Sequence, residues 1–404
     1  MTALLPVAEA QAQLLDMVTP LQSEVCPVEQ AGGRYLAEPV LAERCSPPRD
    51  VSAMDGFAIR FADLSAGARW RIAGESAAGR PFDTAVRAGA AVRIFTGAYV
   101  PDGADTILVQ EDATWEGETL LLTGEGPRKP GAHIRKAGEN FEAGTPLVAK
   151  GLALTPARQA LAAMGGNGRV RVSMRPRVAI FATGDELVPP GAVPGPAQIV
   201  SVNSLMIAQI ARAAGAEVID LGIAADSPPS LDGILARAAG ADVIVSSGGA
   251  SVGDHDLVQP ALQRAGAEIG FWRIAMRPGK PLMAARLGCS LVLGLPGNPV
   301  SAYVTALLFL RPLLLALQGA EAPLPVPGAA FTTVALPENG PRADYMRAYV
   351  EEMPEGPSVT PLTMQDSAHL SGLARANALL VRPAFAPGVR AGQWVEVLRL
   401  TLEH

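Results

Sequence analysis

Apolar positions along this chain follow three different rhythms. Over residues 5–18 they recur at helical spacing, with Val7, Ala10, Leu14 and Val18 on one face, which predicts an amphipathic helix. Between residues 45 and 142 the apolar runs are short: 70–73, 91–95, 106–109 and 119–122 alternate with glycine-rich turns, the pattern of a small all-β unit. Residues 143–175 return to a turn and an alanine-rich helix over 156–164, so this segment is expected to pack with the first 40 residues, the β unit being inserted between them. From Arg177 the pattern becomes regular: strands at 178–182, 217–222 and 243–245, helices at 204–214, 231–239 and 257–265, then two more strands and a long helix at 300–317. Such alternation with short links predicts a mostly parallel sheet with helices on both faces. An Ala/Pro-rich linker covers 319–328, and five short strand-like runs without a helix over 330–402 predict a second small β domain.

These rhythms divide the chain into an N-terminal domain (1–44 with 143–175), an inserted β domain (45–142), an α/β domain (176–320) and a C-terminal β domain (328–404). Composition narrows the picture. A hydrophobic content of 49% with 18% charged residues describes a folded globular chain, and a net charge of −6 argues against a nucleic-acid partner. Cys26, Cys45 and Cys289 have no metal-type spacing and read as thiols of a reducing, cytoplasmic compartment. Glu9 and Asp16 stand where a signal peptide would be basic and then apolar, and the helix at 300–317 is interrupted by Arg311 and Pro312, so neither a secretory leader nor a membrane span is expected. Arginine supplies almost all the positive charge, and Lys280 is the only lysine after Lys150. A lysine kept where arginine is the habit hints at a need for a compact ammonium.

The densest chemistry lies between Ser246 and Ser301. Three turns, Ser246-Ser-Gly-Gly-Ala-Ser-Val-Gly-Asp-His-Asp256, Met276-Arg-Pro-Gly-Lys-Pro-Leu282 and Gly294-Leu-Pro-Gly-Asn-Pro-Val-Ser301, cluster there, and the first and third follow apolar strands. Open α/β sheets place ligand sites at such strand ends. Asp254, Asp256, Arg277, Lys280, Ser251 and Ser301 would gather on that edge, a mixture suited to a metal and a phosphorylated anion. Neither a dinucleotide loop nor a Walker loop fits the glycine spacing. Thr183-Gly-Asp-Glu-Leu187 follows the first strand of the α/β unit, and Asp226 and Asp256 fall at corresponding strand ends. Three acids at one edge favour a hard cation such as Mg²⁺. Asp55-Gly56 and the 95–105 loop read locally as turns. His133, His255, His369 and His404 make no ligand pattern, and no Ser-His-Asp nucleophile set is present.

Taken in order, Ser52-Ala-Met-Asp-Gly-Phe-Ala58, Thr96-Gly-Ala98, Thr183-Gly-Asp-Glu-Leu187, Ser247-Gly-Gly-Ala-Ser-Val-Gly253, Pro278-Gly-Lys-Pro281 and Leu295-Pro-Gly-Asn-Pro-Val-Ser301 resemble the molybdopterin molybdenumtransferase family, which includes the E domain of gephyrin. Arg342-Ala-Asp-Tyr-Met-Arg347, Gln365-Asp-Ser367 and Ala376-Asn-Ala378 extend the resemblance through the last domain. It implies four parts: an elongated helical-and-strand domain, an inserted β domain, a molybdopterin-binding α/β domain and a C-terminal β barrel. It also implies a homodimer whose clefts are completed across the interface.

The implied reaction is Mg²⁺-dependent cleavage of adenylyl-molybdopterin, with release of AMP and insertion of molybdate at the dithiolene. By position, Glu186, Asp226 and Asp256 are the acids around Mg²⁺ and the substrate phosphates, and they are implied to be catalytic with Lys280, Asp55 and Thr96. Asp55 and Thr96 would close the cleft from the partner subunit. The molybdate pocket maps to Arg277, Lys280, Ser301, Arg342 and Ser367, with Ser251 nearby. Arg277 stands where several relatives carry lysine, and Asn140 where some carry aspartate. Two other readings remain: the adenylyltransferase of the preceding step, which shares the α/β fold but needs no inserted β domain or barrel, and a non-catalytic molybdopterin-binding scaffold. Contacts with the adenylyltransferase and with recipient molybdoenzymes are further implied partners.

Overall fold

The computed structural model describes residues 4–249 and 257–401. Ser251, Asp254 and Asp256 lie outside the described residues. The chain begins with the helix Val7–Asp16, which buries Val7, Ala10 and Leu14 against the central domain. It then runs as the strand Ser23–Pro27, antiparallel to Arg169–Ser173, and as Val40–Leu41, antiparallel to Pro146–Val148. Residues 23–41 and 146–173 thus form one layer, with its own core of Val28, Leu36, Leu154, Ala162 and Val172.

Between them, six short strands pair in one sheet. Gly56–Ile59 lies between Thr106–Val109 and Ala90–Ile94, and Arg69–Ser76, Thr119–Leu122 and Ala113–Glu116 follow outward. Successive side chains of a strand face opposite ways. Phe57 and Ile59 accordingly join Trp70, Leu108 and Leu120 on one face, while Ala58 joins Val92, Ile94 and Ile107 on the other.

The central sheet runs Glu217–Ala224, Arg177–Thr183, Val243–Ser247, Ser290–Leu295, Pro281–Leu287, Glu268–Arg273. Its first four strands are parallel; Pro281–Leu287 runs antiparallel to both of its neighbours, Ser290–Leu295 and Glu268–Arg273. Strands buried on both faces read as unbroken apolar runs. Val178 and Ile180 enter the core on one side, and Ala179 and Phe181 enter the core on the other. Three strands of this sheet follow the helix Val258–Arg264, where the apolar pattern predicted two.

Two further expectations need correction. The helical run Pro299–Leu317 is not broken at Arg311 and Pro312. It passes through a π-helical stretch, Ala306–Leu310, and Pro312 falls where the hydrogen-bond register changes, so its missing N–H is tolerated there. This run is apolar and long enough to cross a membrane, but 83% of it is buried inside the protein. In the C-terminal region the helix Leu370–Arg375 was also missed; at six residues it is too short to display a period. There the strands Gly328–Thr332, Ala343–Met353, Gly356–Pro361, Ala378–Arg382 and Trp394–Arg399 close into a barrel, because Ala343–Met353 pairs with both Gly356–Pro361 and Ala378–Arg382. The barrel is stitched to the α/β domain by the short strand Met276–Arg277, which runs parallel to Ala343 and Asp344.

Candidate active site

The carboxyl ends of the parallel strands open into a cleft of about 660 Å³. Thr183 ends one strand, Ser247 ends the next, and the turn Pro296-Gly-Asn298 follows a third. Glu186 and Asp226 stand on one wall, and Ser301, at the first turn of the long buried helix, lies on the other. Asp226 accepts a hydrogen bond from the Thr183 hydroxyl, and its own N–H donates to Asp185 Oδ1 at 3.0 Å. Gly184, at φ 151°, allows Glu186 to fold back: a Cβ there would lie 2.5 Å from Glu186 Oε2. Asn203 joins two walls from the start of its helix, donating to Ser247 Oγ at 2.9 Å and to the Gly297 carbonyl at 2.7 Å.

The acidic wall fits a hard cation in donor chemistry. Glu186 and Asp226 are exposed carboxylates on one cleft, the oxygen ligands Mg²⁺ selects. Among the described residues no three metal-ligating side chains converge. Mg²⁺ commonly completes its coordination with water and substrate phosphates, and Asp256, the third acid the resemblance implies, lies outside the described residues.

The predicted anion pocket is spread across the seam with the barrel. Ser367 is fastened to the cleft turn: Asn298 Nδ2 donates to Ser367 Oγ at 3.0 Å, and Val300 N donates to the Ser367 carbonyl at 3.1 Å. With its oxygen accepting from Asn298, the Ser367 hydroxyl keeps its proton available for a ligand. Lys280 is exposed, immediately before the cleft-lining Pro281, and Lys280 and Arg342 make no ion pair with a described residue. Arg277 differs. It is ion-paired with Asp344, a carboxylate only 6% exposed, and this partner holds the guanidinium pKa above its ordinary value. Sequence reasoning assigned Arg277 to the anion; in the structure its charge is already answered from the barrel.

Asp55 and Thr96 are brought together, but away from this cleft in their own chain. Asp55 Oδ1 accepts from both the Thr96 N–H and the Thr96 hydroxyl at 2.8 Å, and these bonds, the backbone one first, hold the carboxyl below the usual aspartate range. A carboxyl with a depressed folded pKa contributes its stabilisation above the unfolded value and loses it as pH falls through the folded value. The Thr96 amide resonance should thus titrate with a midpoint below the roughly 3.9 of a free aspartate. A midpoint at or above that value by NMR would mean the pair does not form in solution.

Sequence reasoning missed Asn203, Asn298 and Asp344. The helix was expected to begin at Ser204, one residue too late, although an asparagine opening a helix at the ligand edge was a usable signal. Asp344 acts on a residue 67 positions away, and nothing local announces that. All three cysteines are free, and Cys289 is exposed.

Comparison with known proteins agrees with this architecture. Family models match residues 5–166 (MoeA N-terminal region, domain I and II), 179–316 (probable molybdopterin binding domain) and 329–400 (MoeA C-terminal region, domain IV). A molybdopterin molybdenumtransferase of Haemophilus influenzae is 33% identical over 98% of this chain and 98% of its own. One of Nostoc sp. is 36% identical over 94% of this chain and 89% of its own. The crystal structure of the molybdopterin biosynthesis moeA protein from Pyrococcus horikoshii superposes with a TM-score of 0.84 at 27% identity, covering 98% of this chain and 100% of that one. With its central α/β domain, barrel and full-length relatives in agreement, the chain belongs to the molybdopterin molybdenumtransferase family, transferases of molybdenum cofactor biosynthesis.

Proposed function

We propose that the cleft binds adenylyl-molybdopterin and that the chain catalyses its Mg²⁺-dependent cleavage, releasing AMP as molybdate enters the dithiolene. The observation that carries this reading is the division of one cleft into a carboxylate wall, Glu186 and Asp226, and a hydroxyl side with Ser301 and with Ser367 fastened to the cleft-lining Asn298; Lys280 directly precedes the cleft-lining Pro281, and neither Lys280 nor Arg342 is ion-paired with a described residue. Molybdate is a tetrahedral dianion, and ammonium, guanidinium and hydroxyl donors match its oxygens. Mg²⁺, when bound, would neutralise phosphate charge as the phosphoanhydride bond breaks.

The protein's own residues orient and screen. Glu186 and Asp226 fix the acidic wall. Asn203 keeps the Ser247 and Gly297 turns in register before a ligand arrives, which favours catalysis by positioning. Asp256 and Ser251 are assigned to the cleavage side, and Asp55 with Thr96 to closure of the partner's cleft in a homodimer. We place the enzyme in the cytoplasm, receiving substrate from the adenylyltransferase and passing cofactor to recipient molybdoenzymes.

The test is AMP release from adenylyl-molybdopterin by the purified protein, with and without Mg²⁺ and molybdate. Release that requires both supports the proposal; binding without release would favour the scaffold reading, and formation rather than cleavage of the adenylyl compound would favour the adenylyltransferase. Lys280→Ala should raise the molybdate concentration for half-maximal turnover about tenfold, the scale of one charge-assisted contact. An unchanged molybdate dependence would show that the anion lies elsewhere.

A further inference from the structure

Arg347 heads the largest fully buried side chains of the protein, at 1% exposure, and it makes no ion pair with a described residue. Its guanidinium donates instead to three carbonyls of one loop: Nη2 to Met364 at 2.8 Å, and Nη1 to Asp366 at 2.9 Å and His369 at 3.0 Å. The backbone of Arg347 is clipped to the same loop, its N–H donating to Gln365 Oε1 at 3.0 Å and its carbonyl accepting from Gln365 Nε2 at 2.9 Å. Burying a guanidinium is costly, and burial pushes the Arg347 pKa down. A charge retained against that cost needs a reason beyond filling the barrel.

The loop supplies one, because it carries Ser367. The Asp366 carbonyl points at Arg347, and in a trans peptide the N–H lies opposite the carbonyl. The Ser367 N–H therefore points away from Arg347, and it has no hydrogen-bond partner among the described residues. Arg347 thus fixes both the peptide that presents this N–H and the loop whose serine meets Asn298 and Val300 at the cleft.

We propose that Arg347 is a positioning residue for the oxyanion site, locking the 364–369 loop so that Ser367 offers its N–H and its hydroxyl together to the anion, while Arg347 itself never touches it. The proposal rests on the molybdate reading above. A lysine keeps the charge but cannot span three carbonyls, since only the planar fork supplies several donors in fixed geometry.

Arg347→Lys should raise half-saturating molybdate about tenfold, the loss expected for one or two oriented donors, with the saturating rate within about twofold of wild type. Hydrogen exchange should accelerate at 364–369 and at Val300, with the barrel strands unchanged. A folded variant with wild-type molybdate dependence or wild-type exchange overturns the proposal. If Arg347→Lys does not fold, Gln365→Ala, which frees the same loop and leaves the guanidinium in place, must show both changes, and wild-type behaviour there overturns it equally. A wild-type protein without molybdate-dependent turnover would sink the underlying reading; the exchange measurement still decides whether Arg347 holds the loop.

Discussion

Asp226→Asn should lower AMP release about 100-fold or more while leaving thermal unfolding nearly unchanged. Asparagine preserves the Oδ1 that accepts from Thr183, so the local geometry survives, and only the charge facing the cleft is lost. An exposed substitution that keeps its hydrogen bond typically moves stability by no more than about 0.5 kcal/mol. Electrostatic groups at a reacting phosphate are worth far more, on the order of 10² to 10³ in rate. Thr183→Val makes the contrast: it leaves the charge and removes the brace, so its loss should be smaller. If Asp226→Asn turns over at the wild-type rate, the acidic wall does not serve the reaction.

The second large effect is on the fold. Gly56→Ala should destabilise the inserted sheet by about 3 kcal/mol, at the upper end for overpacking. A Cβ at residue 56 would sit 2.0 Å from the Leu108 carbonyl oxygen and 2.9 Å from its carbon, both backbone atoms of a paired strand that cannot swing aside. Gly56 lies in an inner strand and directly follows Asp55, so forcing the strands apart also pulls Asp55 from Thr96. Calorimetry should show the loss as an earlier transition, and AMP release should fall with it. A variant melting like wild type would mean that the two strands are not paired as described.

Much of this was legible in the residues. The runs at 178–182 and 243–245 had no polar face, which is what burial between two helical layers demands, and the parallel sheet followed. The Gly- and Pro-rich turns after those strands marked the edge where Glu186, Asp226 and Ser301 meet. What stayed hidden involves partners distant in sequence or groups without a pattern. The pairing of Arg277 with Asp344, the brace from Asn203 to Gly297 and the grip of Arg347 on three carbonyls of the 364–369 loop each join separate elements through a few polar contacts. Periodicity reports which face of an element is buried, not which distant atom completes it. Pro312 misled for a related reason: proline is a breaker in an α register, and the π-helical stretch before it could not be read from composition.

The long helix over Pro299–Leu317 has one further consequence. Its first turn contributes Ser301 to the cleft, while its body is among the most deeply buried parts of the central core. Folding therefore prepares that end of the cleft: the ordering entropy of the turn is already met when the core forms, so under the proposed function an arriving anion would meet a turn that is already ordered. The same linkage runs backwards. A loss of packing far down the helix, at Phe309 or Leu313, would reach the ligand as a weaker affinity without altering a single group that touches it.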